Sequence, residues 1–155
     1  MTEKFMGADH DYLVSPLNSL GMIDAYRHRA KEAGDEIDRA EKIARLPDHG
    51  ELLDQVLLNE ADLEVARGDP VHAAALLDEA GKLLKQAHPK DSANAWRYAV
   101  LDTVSAELVA INGDPASARR TLEPARQVIL QRFGANGFYA LLADRRARTI
   151  EESGH

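Results

Sequence analysis

Residues 66–84 read ARGDPVHAAALLDEAGKLL and residues 111–129 read INGDPASARRTLEPARQVI. Both stretches carry the triplet Gly-Asp-Pro, at Gly68-Asp69-Pro70 and at Gly113-Asp114-Pro115, 45 positions apart. Each triplet is the chemistry of a junction between two helices. Glycine ends a helix because it takes the left-handed conformation without a Cβ penalty. Aspartate accepts the free N–H groups that open the next helix, and proline fits the first helical turn, where no donor is needed.

Superposing the two copies extends the match beyond the triplet. Ahead of the glycine, Val56 aligns with Leu101, Ala61 with Ala106 and Leu63 with Leu108. Behind it, Ala73 aligns with Ala118, Leu77 with Leu122, Ala80 with Ala125 and Leu84 with Ile129. Small residues fall on small and large on large, and the downstream positions form one helical stripe. This is an internal repeat. A weaker third copy is expected upstream, with Gly34-Asp35 as its turn and Ile37, Ala40, Ile43 and Ala44 as its apolar stripe.

The spacing therefore predicts seven helices, over 16–33, 36–46, 51–67, 70–86, 93–112, 115–133 and 138–152. They group into three antiparallel hairpins (15–47, 48–91 and 92–137), with a tail or remnant of a preceding repeat at 1–14 and a capping helix at 138–155. Turn residues separate the pairs at Pro47-Asp48-His49-Gly50, His88-Pro89-Lys90-Asp91-Ser92 and Gly134-Ala135-Asn136-Gly137. Composition agrees with an all-α chain. Aromatic residues are 5% and hydrophobic residues 45%, dominated by Ala and Leu, which suit close helix packing better than sheets.

In both good copies a small residue precedes the turn glycine by seven positions, and alanines follow it by five and twelve. Ala61, Gly68, Ala73, Leu77 and Ala80 form one set, and Ala106, Gly113, Ala118, Leu122 and Ala125 the other. The pattern resembles the tetratricopeptide repeat (TPR), in which small residues let the two helices of a pair approach closely. Gly7-Ala8-Asp9-His10-Asp11 with Leu17-Asn18-Ser19-Leu20-Gly21 is similar to the linker and first-helix opening of kinesin-light-chain-type repeats, common in bacterial signalling proteins. The resemblance covers residues 55 to 130 well and 7 to 145 loosely. First helices are longer than the family norm, and its aromatic positions are mostly Leu, Val or Glu. The resemblance implies a right-handed solenoid of about three hairpins plus the capping helix. It also implies that the chain is part of a longer array, or its end.

No constellation in the sequence carries chemistry. Without cysteine there is no thiolate ligand, disulfide or thiol nucleophile. The six histidines fall on separate elements, without the spacing of a zinc site, and His10 between Asp9 and Asp11 reads as a polar turn. Neither a GxSxG elbow nor a phosphate loop occurs. The formal charge of −7 disfavours nucleic acid and anionic membranes. Arg145, Arg146 and Arg148, followed by Glu151 and Glu152, read as a solvated helix end that gives the last helix a polar cap. Trp96 reads either as a packing residue or as a partner anchor.

The expectation is a cytoplasmic, non-enzymatic interaction scaffold with no cofactor and no metal, binding a protein or peptide on its concave face. Candidate contact residues are Asp24, His28 and Lys31 in the first pair, Gln55, Leu58, Asn59 and Asp62 in the second, and Thr103 and Glu107 in the third. The alternative is a homo-oligomerising regulatory domain of a larger bacterial signalling protein or transcription regulator, docking through Phe138, Tyr139, Leu141 and Leu142.

Overall fold

A computed structural model describes residues 10–154; the expected tail, and Gly7, Ala8 and Asp9 of the linker motif, lie outside them. Seven α-helices follow in order: α1 Val14–Tyr26, α2 Ala30–Ala44, α3 Leu53–Arg67, α4 Pro70–Ala87, α5 Ala95–Ile111, α6 Pro115–Phe133 and α7 Phe138–Ser153. Short 3-10 turns, Asp11–Leu13 and Gly50–Leu52, lead into α1 and α3. No strand occurs among the described residues.

The Gly-Asp-Pro junctions are built as their chemistry requires. Gly68 sits at φ +81° and Gly113 at φ +101°, the region that favours a residue without Cβ. The Asp69 carboxylate accepts the His72 amide at 3.0 Å, and Asp114 accepts the Ser117 amide at 2.9 Å. Pro70 and Pro115 open α4 and α6. These turns fold α3 onto α4 and α5 onto α6, while α1 packs on α2; α2 then meets α3, and α4 meets α5.

The repeat seam is the core. Ala61, Ala73, Leu77, Ala80 and Leu84 are buried, and so are Ala106, Ala118, Leu122, Ala125 and Ile129. Burying such side chains contributes about 1.5–3 kcal/mol for each large one, while the alanines set how closely the helices approach.

The first hairpin differs from the sequence expectation. Its turn is not Gly34-Asp35, which lies inside α2, but Arg27-His28-Arg29, where His28 takes φ +60°. The missing proline explains this. Gly34-Asp35 is followed by Glu36, a good helix former, so nothing stops the helix there. Gly21 performs the close approach instead: a Cβ on it would lie 2.7 Å from Ile37 Cγ1 on α2.

α7 packs on more than the last hairpin. It contributes to three separate apolar clusters. Ala140 and Ala143 join the central one, Leu142 joins Met22 and Val56 of the first hairpin and α3, and Ile150 joins Ala106 and Leu122. It packs on α5 and α6 and reaches α3 and the α1 end.

Candidate functional site

Thr103 and Glu107 stand one helical turn apart on α5, and Asp62 projects from α3. All three are buried. A carboxylate can stay charged in such a place only with cationic partners, and α7 supplies two. Arg146, 1% exposed, donates from Nη2 to Asp62 Oδ2 at 3.0 Å and from Nη1 to Thr103 Oγ1 at 2.9 Å. Its Nε lies 3.4 Å from Asp62 Oδ1. Arg145 Nη2 meets the same Oδ2 at 2.6 Å. The Thr103 hydroxyl donates to the Val100 carbonyl at 2.8 Å, which turns its lone pairs toward the guanidinium.

The two acids titrate in opposite directions. Burial raises Asp62, but the Arg146 and Arg145 charges outweigh it and hold the carboxyl below its usual range. Burial pushes Glu107 up to about 8, helped by the negative Asp62 beside it. At neutral pH Glu107 is therefore mostly protonated and hydrogen-bonds Asp62, so the slot holds two acids with one charge between them.

The slot corrects two expectations. Arg146 is not a solvated helix end; it is the largest of the fully buried side chains among the described residues. Asp62, Thr103 and Glu107 do not face an open groove, because α7 lies on them. The signal was unreadable locally, since Arg146 and Asp62 are 84 positions apart.

The other expected contact residues are dispersed. Asn59 is buried and donates to Asn18 Oδ1 at 2.9 Å, tying α3 to α1. Leu58 is buried in the core, and Gln55 lies beside it on a narrow crevice of about 20 Å³, room for one water. Asp24 is buried against Arg29 and Glu36. His28 occupies the exposed turn, and Lys31 pairs with Asp35 at 2.7 Å on the surface of α2. Neither shares a helix face with Asp24, because α1 ends at Tyr26 rather than near residue 33.

Trp96 is a packing residue. Its ring takes Phe133 edge-on at 5.3 Å, Tyr139 at 5.5 Å and the Arg97 guanidinium at 4.5 Å. His10 accepts the Tyr12 amide and stacks on its ring, as a turn residue would. One grouping escaped the sequence reading: Glu64, Asp69 and His72 bring ligand atoms within 4.8 Å of one another across the second junction. Its carboxylates are already engaged, Glu64 with Arg67 at 2.6 Å and Asp69 with the start of α4.

No helix among the described residues is long and apolar enough to cross a membrane. No protein-family model matches the chain, and no curated protein or solved structure is significantly similar to it.

Proposed function

We propose that the chain is a non-catalytic, tetratricopeptide-like interaction module that holds helical segments of proteins, and that α7 is its own occupant. The observation that carries this reading is Arg146. α7 seats the fully buried Arg146 guanidinium on Asp62, 84 positions away in sequence, and on Thr103, 43 away. The surface between α3 and α5 thus has the chemistry of a helix receptor: small residues for close approach, one carboxylate for an arginine and one protonated acid to complete it. A partner segment suited to this slot is an amphipathic helix with adjacent arginines and a leucine one turn before them, the pattern of Leu142, Arg145 and Arg146. The absence of a nucleophile–base pair or phosphate loop in the sequence supports binding rather than turnover.

The test is exchange. A protease site inserted within Gly134-Ala135-Asn136-Gly137 lets the chain fold before α7 is cut free. A labelled 137–155 peptide is expected to replace the cut helix and bind saturably. Its Arg146→Ala counterpart is expected to bind at least about 100-fold more weakly, since removing the fully buried partner of a buried ion pair costs about 3–5 kcal/mol. Equal binding of the two peptides, or no rebinding, contradicts the reading.

A further inference from the structure

Ten large apolar side chains are markedly exposed among the described residues, and five of them gather where α1 and α7 come together. Ile23, Tyr26, Phe138 and Leu141, with Arg27 and the buried Leu142, line an open groove of about 290 Å³. Leu20 extends the same face of α1 by one turn. The two walls carry the same pattern. Leu20, Ile23 and Arg27 on one, and Phe138, Leu141 and Arg145 on the other, fall at offsets of zero, three and seven. Each is an apolar stripe ending in a guanidinium.

Clustering of this kind marks a contact surface, whereas scattered exposed apolar residues need no explanation. Charge selects the occupant. The chain carries −7, yet the one charged side chain lining this groove among the described residues is the cation Arg27, while Arg29 in the same turn is paired with Asp24. Arg145, one turn beyond Leu141, is committed to Asp62. Arg27 is exposed and makes no ion pair among the described residues, so it is free to meet a carboxylate. A second copy of the chain fits poorly, because a two-fold contact would set this cationic groove against itself. We infer that the α1–α7 groove docks an acidic amphipathic helix of a partner protein, its apolar side chains seated on Ile23, Tyr26, Phe138 and Leu141 and a carboxylate on Arg27.

One wall of this groove is α7 itself, so the inference rests on α7 being seated in its slot, and the test uses the intact chain, in which α7 has not been cut. The probe is a labelled Ala-based helical peptide with Leu at spacings of three and four and Glu on its flanks, beside a counterpart with Lys for Glu. The intact wild-type chain is expected to bind the acidic peptide at least about 10-fold tighter than the basic one. Arg27→Glu is expected to invert that preference, and Leu141→Ser to weaken both peptides at least about 10-fold. Both positions are exposed, so unchanged circular dichroism and melting confirm that the variants fold. Four results overturn the inference: no saturable binding of the acidic peptide, equal affinity for the two peptides, an unchanged preference in Arg27→Glu, or micromolar self-association abolished by Leu141→Ser, which would assign the groove to a second copy. Binding of the chain to anionic vesicles lost in Arg27→Glu would overturn it too, in favour of a lipid surface.

Discussion

The slot beneath α7 and the groove beside it are built from neighbouring residues with opposite fates. Leu142 and Arg146 point into the molecule, while Leu141 stands out in solvent and Arg145 keeps about a quarter of its side chain exposed. In the slot, charge is buried and engaged; in the groove, apolar surface is open and the nearest cation, Arg27, has no ion-pair partner among the described residues. The contrast teaches that residue type does not decide which surface is available. Burial with partners closes a polar site, and a lack of neighbours opens an apolar one.

The largest effect that sharpens this contrast is expected at Arg146. Arg146→Ala leaves Asp62 buried with Arg145 as its one remaining cation, and should cost about 3–5 kcal/mol in urea unfolding. A loss under about 1 kcal/mol would place Arg146 in solvent and dissolve the distinction. Next come the adjacent leucines. Leu142→Ala should cost about 2–5 kcal/mol by opening a cavity, whereas Leu141→Ala should stay within about 0.5 kcal/mol. Similar losses at the two positions would mean that α7 is rotated from the orientation described.

A pH series probes the slot alone. Glu107 is raised in the fold to about 8, so its contribution to stability is fully present below its ordinary value of 4.5 and is lost as pH rises through 8. Glu60, raised to about 7 by burial and by Glu41, acts in the same direction over the lower part of that window. Asp62 is lowered, so its contribution is present above its ordinary value of 3.8 and lost as pH falls through its folded one. Stability should therefore decline between about pH 5 and 8, and Glu107→Gln should flatten that decline. An unchanged slope in Glu107→Gln would show that the residue carries no proton in the slot.

The smallest effects separate the two kinds of glycine. Gly68→Ala forces a Cβ into left-handed backbone and should cost about 1 kcal/mol. Gly34→Ala sits inside α2, where alanine is the better helix former by about 1 kcal/mol. The side-chain end of Arg67, which crowds that position, can move aside, so melting temperature should hold or rise. A large loss at Gly34 would return the first turn to that position.

The legible part of the sequence was local. The Gly-Asp-Pro junctions and the Ala/Leu seam arise from capping and periodicity within one repeat, and Ala61, Ala73 and Ala80 are buried where that pattern puts them. Gly34-Asp35 misled because a glycine stops a helix only when its successors cannot continue one, and Glu36 continues it readily. The candidate site was half visible. Asp62, Thr103 and Glu107 stood out as polar residues on facing helices, but their occupant is a distant segment whose arginines look solvated in isolation. Nothing within a few residues of Arg146 distinguishes it from Arg148, which is exposed.

The most direct test is a double-mutant cycle between Asp62→Asn and Arg146→Met, read by equilibrium unfolding. If α7 is latched by this pair, each single change is costly and the double change costs less than their sum by at least about 2 kcal/mol. Losses that add within about 0.5 kcal/mol would show that the pair does not hold α7 in place.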